Sequence, residues 1–566
     1  MIPQIALLFL MWHSQTILAD EDDVLPTITI VMLARNKAHV LPFSLELLQD
    51  LDYPKNRMAL FIRSDHNQDE TVDVLHTWLD SVQDQYYAVN FTSLSGTPTF
   101  PGSLGPNHWT DDRFSHLIQL KQEGMKYARS IWSDFVWFLD ADVLLTHNQM
   151  LRELIPMGET QVISAPMLKT LTRYSNFWAG MSDTYYYART DEYDPILGRT
   201  SLGCHSVPMV HTSVLVNLNK VESLKLTFLP EDIPNYDGPR DDIIVFALSA
   251  QFNGVPMYIC NNHNYGYTMV PLADEDVLEK DFEMLSDLRL QIIADIGPLE
   301  PHPDLAGYVL QPPLKNRLDV DHIYMINLKR RSDRKAKMEA CFQLLGIDYE
   351  YFEAVDGRDL NEDYLEDHGI RMLDEFQDPL HGRPLTYGEI GCFMSHYHIW
   401  KDIIKHGYQR TIVFEDDIRF EPNFRESFQN LLLELSGLDL KWDLIYLGRK
   451  ILHNVEEPWL EHSNLLVTNG YTYWTLAYMI TLKGAQKLVD EQPLGKMVPV
   501  DEYLPIMFDK HPNNTWSHHF KIRDLRAFSV HPRFVHPTHY TGEEGYFSDT
   551  EATSTIAAKA DQKQEL

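Results

Sequence analysis

The 566-residue chain has only four cysteines, and no two of them stand as Cys-x-x-Cys. So low a count excludes a small disulfide-stapled scaffold, and the spacing excludes thioredoxin-like exchange chemistry. Basic residues are also scarce: 48 Lys and Arg against 82 Asp and Glu leave a formal net charge of −34. A protein that neutralises a phosphate backbone needs a basic face, so no nucleic-acid partner is expected. The charge suits cationic partners, divalent metal ions among them. Long apolar runs are missing too. The run at 5–11 falls far short of the ~20 residues that cross a bilayer, and no later run reaches that length, so no membrane span is expected. Core material is not lacking: 44% hydrophobic and 11% aromatic residues exclude wholesale disorder and fibrous architecture.

Both ends carry address signals. An apolar run, a small residue at Ala19 and an acidic Asp20-Glu21-Asp22-Asp23 make 1–19 read as a secretory signal peptide. The last residues, Lys563-Gln564-Glu565-Leu566, resemble the KDEL-type sequence that a retention receptor reads at a free C-terminus, with Gln564 in place of Asp. Together they point to the endoplasmic reticulum lumen. Sequons at Asn90 and Asn513 are compatible with that compartment. The cysteines divide as Cys204 and Cys260, then Cys341 and Cys392. An oxidising lumen permits one bridge per half, and buried thiols are the alternative.

Strand and helix patterns alternate twice. In the first half, 27–35, 58–63, 86–91 and 134–142 read as strands, and 40–51, 69–79 and 113–130 as helices. Around Pro298, Pro301, Pro303, Pro312 and Pro313 the periodicity fades, which suggests a linker at 291–318. The pattern then restarts, with strands at 322–328, 349–355, 410–414, 442–447 and 475–481 and helices at 332–345 and 387–406. This alternation predicts an α/β fold: two domains, 20–290 and 319–548, each a mostly parallel sheet with helices on both faces. The small, polar stretch from 549 to 566 reads as a flexible tail.

Each half has an apolar strand that ends in acid: Asp140-Ala141-Asp142 in the first, Glu415-Asp416-Asp417 in the second. Ligands of open α/β sheets collect at the carboxyl ends of strands. Paired carboxylates there are costly without a cation between them, and a divalent metal on a diphosphate meets that need. Solvated turns with an Asp helix cap are the alternative. Two apart on an extended segment, Glu415 and Asp417 are expected on one side, with Asp416 pointing elsewhere.

The motifs at 321–334 (DHIYMINLKRRSDR), 385–400 (LTYGEIGCFMSHYHIW) and 411–420 (TIVFEDDIRF) resemble glycosyltransferase family 25. The first half, with 30–36 (IVMLARN) and 135–144 (FVWFLDADVL), is similar to the N-terminal domain of the animal two-domain members. The resemblance implies two tandem GT-A-like, Rossmann-type domains. It implies transfer of galactose from UDP-galactose to 5-hydroxylysine of collagen chains, with Mn²⁺ and with inversion to a β-linked product. It leaves room for a homodimer.

Inversion requires a general base and a Lewis acid, but no enzyme nucleophile. The metal candidates are Glu415, Asp417, Asp140 and Asp142, with His531 or His536 completing a sphere. Asp501 or Glu502 offers the base of the second half, and Asp241 or Asp242 that of the first; helix-start acids are the alternative for all four. Arg330, Arg331 and Arg334 follow a strand and could meet the diphosphate, or lie as solvated charge. Asp65, at another strand end, could meet uridine or ribose, again with capping as the alternative.

Overall fold

Alternation along the buried strands sorts their side chains between two cores in each half. In the strand Ile28–Ala34, Ile28, Ile30 and Met32 pack with Leu45 and Trp78, while Val31 joins Ile118 and Met125 on the opposite face. In His322–Asn327, Tyr324 and Ile326 face Trp400 and Tyr503, and Ile323 and Met325 face Phe342 and Phe428. The computed structural model describes residues 25–94, 96, 99–451, 457–543 and 545–556. The leader at 1–19 and the retention sequence at 563–566 lie outside the described residues.

The first sheet runs in the order Cys204–Val207, Met257–Cys260, Ile163–Pro166, Ser213–Asn217, Phe135–Leu139, Ile28–Ala34, Met58–Asp65, Ala88–Leu94. The second runs Glu350–Glu353, His322–Asn327, Arg410–Phe414, Thr472–Thr481, Leu444–Ile451, Ala527–Val530, Leu466–Thr468. Both are mixed and largely parallel at the N-terminal strands of their halves. In each, the strand that ends in acid has a parallel neighbour on one side and an antiparallel one on the other. Long helices, Asp111–Ser130 in the first half and Tyr387–His406 in the second, cover the faces.

Two compact units result, one of residues up to Phe282 with Glu300–Val309, the other of Glu283–Leu299 with Leu310 onward. The proline-marked stretch is therefore shared between the units. Leu305 is buried in the first core, whereas Leu290 and Ile293 are buried in the second. Cys204 and Cys260 form a disulfide between paired strands, and Cys341 and Cys392 are free thiols. The tail is also ordered further than its composition suggests: Thr386 Oγ1 donates to the Thr550 carbonyl (2.7 Å) and the Ile556 N–H to Leu385 (2.9 Å).

Asp443, just before the strand Leu444–Ile451, is fully buried. Its oxygens accept from Arg526 Nε (3.0 Å), the second Arg526 terminal nitrogen (2.7 Å), the Arg526 backbone N–H (2.9 Å) and Lys487 Nζ (2.9 Å). Burial opposes ionisation, but these donors outweigh it and hold the carboxyl at about 2. A depressed acid stabilises the fold above its unfolded value near 4, and the contribution fades as pH falls toward 2. Asp443→Ala is expected to cost about 2 kcal/mol at neutral pH. Urea midpoints of wild type and variant should converge as pH falls from 5 toward 2.

Candidate active site

The buried strand Arg410–Phe414 delivers three consecutive carboxylates, and the structure separates them. Glu415 Oε1 accepts from Thr475 Oγ1 and from His396 Nε2 (3.2 Å). The Tyr478 hydroxyl accepts from Trp400 Nε1 (3.0 Å) and so turns its own hydrogen to His396 Nδ1 (2.9 Å). That chain leaves the His396 proton on Nε2, aimed at Glu415. Burial disfavours charge on Glu415, but His396, Thr475 and Arg334 more than offset it and hold the carboxyl below its usual range.

Asp416 turns away, accepting from Asn327 Nδ2 (2.6 Å) and Arg334 (3.1 Å). Asp417 meets the same guanidinium at 3.2 Å. Desolvation and its acidic neighbours, with Arg334 opposing, push the Asp417 carboxyl up to about 7. The strand stops at Phe414, so its pleat does not set the directions of 415–417, and Asp416 stays with Asp417 instead of pointing elsewhere, while the charge of Glu415 still reaches Asp417. Asp416 and Asp417 are the two that share Arg334.

Asp501 and Glu502 lie in the first turn of the helix Val500–Met507. Glu502 is buried and fully bonded, to the Tyr473 and Tyr471 hydroxyls (the latter at 2.7 Å) and to His511 Nε2 (2.7 Å). Asp501 Oδ1 is buried without any hydrogen-bond partner. Burial, then the charges of Glu415 and Glu502, push the Asp501 carboxyl well above the carboxylate range. The half-buried Cys392 thiol is raised by desolvation and by the fields of Glu415, Asp501 and Asp417. A crowd of carboxylates with one orphaned oxygen is costly unless a cation or a reacting proton uses it. The carboxylates offer hard oxygen, which suits Mg²⁺ or Mn²⁺, but the group whose ligand atoms lie within 4.8 Å of one another is Cys392, His396 and Glu415, a mixed sulfur, nitrogen and oxygen set.

The three arginines are engaged by acids. Arg330 donates to Asp356 (2.7 Å) and Asp549 (2.6 Å), and Arg331 Nε to Asp549 (2.7 Å). Beside Asp416 and Asp417 opens a cavity of about 240 Å³, lined also by Arg331, Arg334, Lys337 and Phe547. His531 is not brought to the carboxylates: its ring meets Trp459 edge-on and its N–H reaches Leu465 (2.8 Å). His536 pairs with Glu421 (3.0 Å) and the Tyr540 hydroxyl (2.9 Å), because its strand Val535–Pro537 runs beside Ile418–Phe420.

In the first half the carboxylates are matched by lysines. Asp142 pairs with Lys37 (2.8 Å), which also holds Asp281 (2.8 Å). Lys121 pairs with Asp242 (2.5 Å). Burial, opposed by Lys121 and reinforced by Asp142 and Asp242, pushes Asp140 up to about 6. Asp241 is the N-cap of Asp242–Phe252, accepting from Ile243 (2.9 Å) and Ile244 (3.1 Å). Asp65, at the end of Met58–Asp65, binds His66 Nδ1 and His116 Nε2, each at 2.7 Å. Desolvation opposes its charge, but the two histidines win and lower its carboxyl. Among the described residues, no carboxylate oxygen of this half is buried and unpartnered.

Two family models match the chain: "Glycosyltransferase family 25, N-terminal domain" over residues 25–289, and "Glycosyltransferase family 25 (LPS biosynthesis protein)" over residues 320–504. A "Glycosyltransferase 25 family member" of Anopheles gambiae is 49% identical over 535 residues, covering 94% of this chain and 90% of the relative. The chain belongs to glycosyltransferase family 25. Within it, "Procollagen galactosyltransferase 1" of Danio rerio is 44% identical over 531 residues (94% of this chain, 87% of the relative). "Procollagen galactosyltransferase 2" of Homo sapiens is 44% identical over 534 residues (94% and 84%). A solved structure, S. aureus TarS 1-349, is similar over 48% of this chain and 64% of that chain, at 13% identity and a TM-score of 0.29.

The family 25 half also uses residues that the sequence reading passed over: Asn327, His396, Thr475 and Asp549. His396 stands on the buried face of an apolar helix, where a polar side chain that must find a partner was the available signal. In the first half His211 is the counterpart, with a buried, unpartnered Nε2 and a ring that burial, then Lys121, push down to about 4.

Proposed function

We propose that this family 25 glycosyltransferase moves galactose from UDP-galactose to 5-hydroxylysine of collagen chains, with inversion, and that its second half does the chemistry. The observation that carries the placement is the buried, unpartnered Asp501 Oδ1 within the field of Glu415. The 44% identity to proteins named procollagen galactosyltransferase supports the donor and acceptor. The endoplasmic reticulum lumen is supported by the relation to proteins named procollagen galactosyltransferase and by the Cys204–Cys260 disulfide. Among the described residues no helix is long and apolar enough to cross a membrane.

Glu415 and Asp417 would hold Mn²⁺, which when bound supplies Lewis-acid stabilisation of the departing diphosphate. In its ionised form, made strongly basic by burial and by the charge of Glu415, Asp501 takes the hydroxylysine proton as the hydroxyl oxygen attacks the anomeric carbon. The bond to UDP breaks on the opposite face of that carbon, so an α-linked donor yields a β-linked product and UDP. His396 and Thr475 fix Glu415 in one orientation. Glu502, tied to Tyr471, Tyr473 and His511, anchors the helix turn that presents Asp501.

The test is a donor screen with Mn²⁺ against collagen peptides with and without hydroxylysine. The expected result is galactose transfer to the hydroxylated peptide alone, and a melting temperature raised by UDP with Mn²⁺. Transfer of another sugar overturns the donor assignment. Neither transfer nor thermal shift, from well-folded protein, returns the chain to a binding role on a transferase scaffold.

A further inference from the structure

Residues 545–556, polar and without a helix or strand of their own, form a strap across the arginines of the family 25 half. Asp549 is its anchor, with a side chain only 9% exposed. One oxygen accepts from Arg330 (2.6 Å) and the other from Arg331 Nε (2.7 Å), with Arg334 3.9 Å away. The Phe547 ring lies under the Arg331 guanidinium, 4.9 Å from its centre, and the Phe547 carbonyl accepts from Arg334 (3.2 Å).

The strap is also stitched to the start of the helix Tyr387–His406. The Gly388 N–H donates to Thr553 Oγ1 (2.7 Å) and the Tyr387 N–H to the Ser554 carbonyl (3.0 Å). First-turn N–H groups have no acceptor within their own helix, so the strap supplies acceptors the fold otherwise owes. The approach is close enough that a Cβ on residue 388 would come within 2.4 Å of the Thr550 carbonyl oxygen. Gly388 is thus needed for the strap rather than for the helix.

A free arginine side chain has many rotamers, and clamping one lowers the entropy lost when it meets an anion. Arg331 gives Asp549 only its Nε–H and has Nη1 4.0 Å from Asp333, and it lines the cavity with Asp333, Asp417 and Phe547. We propose that Asp549 is a positioning residue of the donor site: braced by Arg330, it holds Arg331 so that Arg331 presents its remaining N–H groups to the diphosphate of the nucleotide sugar. The proposal rests on the reading of this half as a nucleotide-sugar site.

The probe is UDP with Mn²⁺, measured by calorimetry on the full chain, so that galactose transfer is not needed for the answer. Asp549→Asn is expected to weaken UDP binding by about tenfold or more, and to raise the donor KM more than it lowers kcat. Asp549→Glu should recover most of the affinity. Gly388→Ala, which removes no charge, should weaken binding in the same sense by lifting the strap. Unchanged affinity in Asp549→Asn overturns the proposal, as does tighter binding, which would make the strap a competitor of the diphosphate. Wild type that binds UDP but transfers no galactose would sink the galactosyltransferase reading and leave this test intact. A second arm needs no nucleotide: phenylglyoxal should modify Arg330 and Arg331 faster in Asp549→Asn than in wild type. Equal rates overturn the clamp, and faster modification in a protein whose wild type binds no UDP overturns the donor role.

Discussion

Asp501→Asn is expected to lower galactose transfer by about 10²–10⁴-fold without lowering the melting temperature. Loss of a positioned general base accounts for the first effect. The second follows from the sign of the shift. The folded-state carboxyl is raised by burial and by Glu415 and Glu502, so its ionised form is an uncompensated buried charge. For an acid raised in the fold, stability declines as pH climbs from the unfolded value near 4 toward the folded one. Asparagine removes the titration and keeps the shape, so the neutral-pH fold should be as stable as wild type or more so. Steady-state kinetics and thermal melts from pH 5 to 8 check both. A variant that is inactive and also less stable would make Asp501 a structural acid. Full activity would move the base elsewhere, with UDP–Mn²⁺ binding by the variant showing whether the metal had been lost instead. Loss of both Glu415 and Asp417 should abolish that binding; transfer that survives it would remove both from the metal site.

The local frame of this site was legible in the chain because local signals agree with the tertiary fold. The helix Tyr387–His406 begins at a capping box, Thr386 with Glu389, and stops at Gly407, whose φ of +72° suits glycine. The helix Ser332–Leu345 likewise ends on Gly346, at φ +59°. The short strands Cys204–Val207 and Ser213–Asn217, which run against the others and make the first sheet mixed, are too brief for their periodicity to stand out.

The chemistry was legible only where neighbours in sequence are neighbours in space. Glu415-Asp416-Asp417 could be read as a cluster, but Glu415 is oriented by His396 and Thr475, 19 and 60 residues away along the chain. Asp501 and Glu502 could not be told apart by adjacency; Tyr471, Tyr473 and His511 saturate one, while Oδ1 of the other has no partner. Asp549 was hidden for a different reason. Its segment has the composition of a flexible tail, and its order comes from acceptors that the helix start at Tyr387–Gly388 requires, together with guanidinium groups more than 200 residues earlier.

In the first half, Lys121→Met is expected to cost about 3–5 kcal/mol at pH 8 and much less at pH 5. The Lys121 side chain is 13% exposed, and its ammonium sits 2.5 Å from Asp242 within the field of Asp140. Desolvation lowers its affinity for a proton, but the two acids win and raise it, so the cation is kept in a place where it alone offsets two negative charges. Methionine fills similar volume without charge. The two acids must then remain ionised and unpaired, or take protons. Asp140, already pushed up to about 6 with the lysine present, would rise further. Protonation caps the cost, and it is cheap at pH 5 and dear at pH 8. The difference in melting temperature between wild type and variant should therefore widen as pH rises, reaching roughly 10 °C. A deficit of constant size from pH 5 to 8 would mean that Lys121 matters through packing. A widening one would mean that the acids of this half are held ionised by the chain's own lysine.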